Sequence, residues 1–440
     1  MDWRRATAAD LGRAIARGEA DPVEVAGGFL DAIAAHPHGT RIYARATPDR
    51  AIAEAGAARA RARAGTGRGP LDGVPLSWKD LFDTAGVPTE AGTTLLAGRV
   101  PDRDAAVLRE AGLKGTICLG KTHMTELAFS GLGLNLATAT PPNVHDPDRL
   151  AGGSSSGAAA SVALGLASAA IGSDTGGSVR LPAAWNDLVG FKPAHGALPL
   201  EGVVPLCPSF DTVGPLTRSV EDAALLWEAM GGPATDLRGA DLAGATLGVL
   251  RDVVMDDLEE APARAFDDSL PRLAGAGARL VDIRLPRLSR AYELGFPLYA
   301  AEAWASWRDH VEPAPDRLFP PVLARVAAGR EVLAADYLAG WAELRLIRAE
   351  AGQVLAGLDA LLCPTAAILP PLASAMAGDH EAFRATNLKA LRNTRMANLL
   401  GLASISLPTG HPSCGILLNA LPGREGHLLR LAHAAHRSLA

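Results

Sequence analysis

Two glycine- and serine-rich runs are the stretches of this sequence whose residue types and spacing best suit chemistry. The first, Gly152-Gly153-Ser154-Ser155-Ser156-Gly157, contains Gly153-x-Ser155-x-Gly157, the spacing of a nucleophile elbow. An elbow needs a strand before it, a helix after it, and an acid and a histidine later in the chain. The preceding residues, Val144-His145-Asp146-Pro147-Asp148-Arg149-Leu150, read instead as a polar, proline-interrupted loop. His195 and His310 follow downstream, but nothing around either selects it for catalysis. Ser155 therefore reads as a support residue. The second run is Gly172-Ser173-Asp174-Thr175-Gly176-Gly177-Ser178-Val179-Arg180. Its paired glycines let successive N–H groups turn toward one point without a Cβ in the way. The backbone of Thr175, Gly176 and Gly177 could thus form an oxyanion hole, with the Ser178 hydroxyl beside it. A tight glycine turn ended by a capping serine describes the same residues, and the run alone does not choose.

A third candidate is Lys79, in Gly73-Val74-Pro75-Leu76-Ser77-Trp78-Lys79-Asp80. Only five of the 42 basic residues are lysine. A lysine kept where arginine is the default invites a chemical explanation, because a buried lysine can lose its proton and arginine cannot. At an apolar strand end, desolvation would lower its pKa and leave a neutral amine able to act as a base. The competing reading is an ion-paired lysine, since Asp80 and Asp83 are near. One further match misleads. Gly115-Thr116-Ile117-Cys118-Leu119-Gly120-Lys121-Thr122 fits the phosphate-loop spacing. Its middle residues are apolar and strand-like, whereas a phosphate loop follows its strand; Lys121 is expected to have a local structural role.

The elements that must position these residues alternate in type. Residues 1–65 read as helical, with Asp21-Pro22-Val23-Glu24 a strong helix start. Strands are expected at 73–78, 115–119, 168–171, 188–191, 247–250, 280–283, 361–364 and 403–408. Helices are expected at 107–111, 158–167, 220–230, 261–275 and through 288–351. That alternation predicts a single large α/β domain: a mixed, mostly parallel sheet core covered by helices on both faces. Within residues 1–440, an N-terminal helical wrap (1–65) precedes a core (70–230), and 288–400 is a variable region suited to a substrate pocket.

Composition narrows the function classes. The net charge of −6 and scattered arginines leave no footprint for nucleic acid. Cys118, Cys207, Cys363 and Cys414 are far apart, so a metal cluster or disulfide framework is not expected. The N-terminus lacks the apolar core of a signal peptide, and the run Gly157–Gly172 is too short to span a bilayer. A cytoplasmic protein without metal, cofactor or membrane contact is the expectation.

Several ordered blocks together resemble the amidase signature family. "GGSSSGAAASVALGLASAAIGSDTGGSVRLPAAW" is similar to its long signature, and "LDGVPLSWKDLFDTAGVPTEAGT" to its lysine block. "LVGFKPAHG" and "SFDTVGPLTRSVEDAALL" resemble downstream blocks, and the likeness returns in "LLCPTA" and "NLLGLASISLPTG". By matched position the resemblance implies a catalytic triad of Lys79, Ser154 and Ser178. Lys79 would be the base, Ser154 the proton relay behind a cis peptide bond, and Ser178 the nucleophile. It further implies oxyanion donors at Thr175, Gly176 and Gly177, with Ser155, Asp174 and Arg180 in support. The implied activity is hydrolysis of a small-molecule amide to acid plus ammonia or amine, and a homodimer is suggested. The alternative within the family is the glutaminase subunit of a tRNA-dependent amidotransferase, which would need a partner protein. The chain departs from the family at Ser156, where glycine is frequent, and at Ala158; neither is a triad position.

Overall fold

The computed structural model describes residues 2–439, and eleven strands carry its framework. These are β1 (Tyr43–Ala46), β2 (Pro75–Lys79), β3 (Ile117–Thr122), β4 (Ala169–Ser173), β5 (Val189–Lys192), β6 (Val213–Thr217), β7 (Thr246–Leu250), β8 (Arg279–Ile283), β9 (Ala360–Pro364), β10 (Ala403–Pro408) and β11 (Gly415–Ala420). They form one sheet in the order β1-β3-β2-β4-β6-β5-β10-β11-β9-β7-β8. The mixed sheet is as expected, but the balance of directions is not. Four neighbour pairs are parallel (β3–β2, β2–β4, β9–β7 and β7–β8), and the other six are antiparallel. The antiparallel centre comes largely from β6 and β11, whose segments VGPLT and GILLNA carry glycine and proline that mask a strand pattern.

Helices cover both faces. Val220–Ala229, Glu260–Gly275 and Glu425–Leu439 form one packed set. Ser156–Ala163, Arg180–Trp185 and His380–Leu399 form another. Both sets touch β5, β6 and β10, so they lie on opposite sides of the sheet. The N-terminal wrap follows its local signals: Asp21 caps Pro22–Ala35 by accepting from the Val23 N–H at 2.8 Å. The wrap is not wholly helical, because β1 leaves it to pair with β3 at the sheet edge.

Two local features set up the site. Every residue of the Ser156–Ala163 helix, SGAAASVA, is buried, and small side chains let it lie close against β2, β3 and β4. The parallel register of β2 and β4 pairs Trp78 with Ile171, so Lys79 and Ser173 emerge at the same end of the sheet. The carboxyl ends of parallel strands are where α/β sheets place their ligands.

Candidate active site

Lys79 ends β2 with no solvent exposure. Its Nζ donates to Ser154 Oγ at 2.6 Å, to Ser173 Oγ at 2.8 Å and to the Ser173 carbonyl at 3.4 Å. Burial strips water from the ammonium and lowers its pKa from 10.5 to about 7, against the opposing charges of Asp174 and Asp211. Such a drop corresponds to roughly 5 kcal/mol in favour of the neutral amine. The ion pair with Asp80 does not form; Asp80 instead meets Lys121 at 3.2 Å and Arg45 at 3.5 Å. The peptide bond between Gly153 and Ser154 is cis.

The second glycine run crosses from β4 into the Arg180–Trp185 helix, and a buried carboxylate organises it. Asp174 accepts from the Gly177 N–H at 2.8 Å, the Val179 N–H at 3.1 Å and Asn398 Nδ2 at 2.9 Å. Arg180 reaches it through Nε at 3.0 Å and Nη2 at 2.8 Å, both side chains being fully buried. Burial alone would raise the Asp174 pKa, but the Arg180 guanidinium holds it well below the usual carboxylate range. The turn needs glycine at 177: φ is +138°, and a Cβ there would lie 2.0 Å from Thr394 Oγ1.

The same geometry distinguishes among the expected donors. The Gly177 N–H already donates to Asp174. The N–H groups of Thr175, Gly176 and Ser178 meet no protein acceptor among the described residues. Thr175 is itself anchored by its hydroxyl, which donates to Asp211 Oδ1 at 2.5 Å. Ser178 sits beside the first serine run, because the Ser155 N–H donates to the Ser178 carbonyl at 3.3 Å. The Ser178 hydroxyl is not hydrogen-bonded to Ser154; the residue lines a cavity of about 30 Å³ together with Thr175, Gly176, Phe129, Tyr299 and Leu391. A depression of about 420 Å³ at the N-terminal helices, lined by Trp3, Arg4, Glu24 and Phe29, is far larger but holds no nucleophile.

Ser155 is no elbow nucleophile, since its hydroxyl donates to the Ser173 carbonyl at 3.2 Å. His195 contacts the Asp211 carbonyl at 3.0 Å, and His310 packs on Trp307. The phosphate-loop match lies on β3, where Lys121 Nζ donates to Thr89 Oγ1 at 2.8 Å. Ser156, one of the departures noted above, leaves its buried Oγ without a hydrogen-bond partner. Trp341 stacks on Phe210 with ring centres 4.9 Å apart, and Trp307 Nε1 donates to the Pro205 carbonyl at 3.0 Å, so both serve the core rather than the cavity. All four cysteines are buried free thiols, and no acid–histidine–cysteine group among the described residues could hold a metal. No described helix is long and apolar enough to cross a membrane.

Sequence reasoning missed Ser173, which holds Lys79, and Asp211, which anchors Thr175. It also missed Tyr299, Arg325 and Arg395, which reach the cavity from helices Leu288–Val311, Pro320–Ala327 and His380–Leu399. Ser173 carried a signal, since it directly precedes Asp174 in the glycine run; the helical residues sit in no motif.

Comparison with known proteins bears on the family and the fold. The family model described as Amidase matches residues 24–429. The 2-amino-5-chloromuconic acid deaminase of Comamonas testosteroni is 36% identical over 407 residues, covering 89% of this chain and 87% of that protein. A glutamyl-tRNA(Gln) amidotransferase subunit of Thermosynechococcus vestitus is 32% identical over 445 residues, covering 92% of each. A crystal structure of an amidase superposes with a TM-score of 0.89 at 33% identity, covering 99% of this chain and all of that one. A near-complete family match, shared by relatives and by the fold, makes this chain a member of the amidase family of hydrolases acting on C–N amide bonds.

Proposed function

We propose that the chain hydrolyses a carboxylic amide to an acid and ammonia or an amine, through an acyl-enzyme on Ser178. The observation that carries this reading is the fully buried Lys79, with a pKa of about 7 and its Nζ 2.6 Å from Ser154 Oγ. Neutral Lys79 takes the Ser154 proton while Ser154 takes the Ser178 proton. Ser178 Oγ then bonds to the amide carbon, and the carbonyl electron pair moves onto oxygen. The free N–H groups of Thr175, Gly176 and Ser178 hold that oxyanion. Return of the pair breaks the C–N bond. Ser154 protonates the leaving nitrogen and is reprotonated by Lys79. Water repeats the relay, breaks the acyl–Oγ bond and leaves the acid. The Ser178–Ser154 contact required here is of the kind that tightens when substrate binds.

Asp174, with Arg180, shapes the turn that presents the donors, and Ser155 ties the two serine runs together. The likeness to a glutamyl-tRNA(Gln) amidotransferase component supports a second reading, in which glutamine is the amide and a partner protein receives the ammonia. Ammonia release by the isolated protein from a panel of primary amides, glutamine included, decides between them. Turnover without a partner, abolished by Ser178→Ala, supports the hydrolase. Release only from glutamine and only with a partner supports the amidotransferase reading. No release under either condition overturns both.

A further inference from the structure

The cavity in front of Ser178 holds two cations and no anion. Arg325 enters it from the Pro320–Ala327 helix and Arg395 from the His380–Leu399 helix, while no aspartate or glutamate lines it. Neither arginine is ion-paired among the described residues. Arg325 donates through Nη1 to the Phe129 carbonyl, with its guanidinium carbon 4.0 Å from the Phe129 ring centre. Arg395 packs its guanidinium 5.4 Å from the Tyr292 ring, and its buried Nε has no hydrogen-bond partner. Its stem passes the glycine turn, since a Cβ on Gly176 would lie 3.9 Å from Arg395 Cγ. Burial, and next the charge of Arg395, lowers the Arg325 pKa to about 10. Two like charges thus face one space, with Arg395 Nε left unsatisfied beside it. Two half-buried guanidiniums without a counter-charge are unfavourable neighbours, and an anion between them would relieve both.

Resting on the acyl-enzyme reading above, we propose that Arg325 and Arg395 are specificity residues for a substrate carboxylate. The substrate class is then the monoamide of a short dicarboxylic acid. The amide carbonyl meets Ser178 and the turn, and the distal carboxylate lies between the two guanidiniums. Planar guanidinium forks suit a carboxylate far better than a neutral chain end. Arg395 passes against the Gly176 turn and shares one cavity with Ser178, so only a short acyl chain fits between the two anchors. Glutamine is a poor fit despite its carboxylate, because its ammonium would enter a space with two cations and no acid.

The test compares kcat/KM for malonamate, succinamate and glutaramate with that for the neutral amides propionamide, butyramide and valeramide, with glutamine as a further probe. Charge-assisted hydrogen bonds of this type are worth roughly 10- to 100-fold in specificity. The best acid amide is expected to exceed its neutral counterpart by at least that margin, and glutaramate to exceed glutamine. Arg395→Gln and Arg325→Gln should each collapse the acid-to-neutral ratio, with Arg395→Lys recovering part of it. Neutral amides turned over as well as the acid amides by the wild-type protein would overturn the proposal while leaving the hydrolase reading intact. An equal loss on both substrate types in the Gln variants would do the same, by assigning the arginines a structural role. No hydrolysis of any amide would sink the hydrolase reading itself and the proposal with it.

Discussion

If neutral Lys79 is the base, the pH dependence of the enzyme must carry its titration. Burial sets its folded pKa near 7, below the ordinary 10.5, so the neutral amine becomes the major form as pH rises through about 7. On that basis log kcat/KM should climb with unit slope below about pH 7 and level off above it. At about pH 5 only about 1% of Lys79 is neutral, so kcat/KM should be about one hundredth of the plateau. Lys79→Arg keeps the positive charge but cannot give a neutral base, and loss of a general base removes on the order of 100- to 10,000-fold. The assay is initial-rate ammonia release across the pH range, with circular dichroism confirming that the variant is folded. A profile still climbing steeply through about pH 10, as an ordinary lysine would give, refutes the reasoning. So does a folded Lys79→Arg variant with near wild-type activity.

Other expectations follow from the bracing around the turn. Arg180→Met leaves the Asp174 carboxylate buried without its cation, and removing one partner of such a pair costs about 3–5 kcal/mol. A marked fall in Tm by calorimetry is expected, and an unchanged Tm contradicts it. Gly177→Ala places a methyl against Thr394 Oγ1 at a left-handed φ, which displaces the donor turn and should lower kcat by about 100-fold. A variant with wild-type kcat would remove the turn from the account. Asp211→Asn deletes a negative charge that raises the Lys79 pKa, so the acid limb of the pH profile should move to lower pH. A shift to higher pH would reverse the assigned sign.

Much of the site could be read from the chain because its residues fall in two short runs and one strand end. Lys79, Ser178 and the Asp174–Arg180 pair lie where local pattern and family likeness coincide, while Ser154 rests on the likeness alone; the structure sets Lys79 on Ser154, Asp174 on Arg180 and Ser178 beside the first serine run. The residues that escaped reading reach the site through tertiary packing. Asp211 precedes β6, a strand disguised by Gly214 and Pro215, and nothing local links it to Thr175. Arg325 and Arg395 sit on helices whose patterns report only burial, and no spacing rule reveals that side chains of two helices line one cavity. The mostly parallel expectation failed for a related reason: β6 and β11, neither of them expected as a strand, take part in four of the six antiparallel pairs. Gly177 shows a finer limit. Its glycine is required for close approach to Thr394, and its N–H is engaged by Asp174, neither of which the run itself reveals.

The central claim is that Ser178 is the nucleophile, and a serine-directed fluorophosphonate tests it most directly. The protein is labelled, digested and mapped by mass spectrometry, with Ser178→Ala and Lys79→Ala treated alongside. The expected result is one adduct on Ser178, absent from Ser178→Ala and strongly slowed in Lys79→Ala. An adduct on Ser154 or Ser155, or labelling that survives Ser178→Ala, would contradict the account.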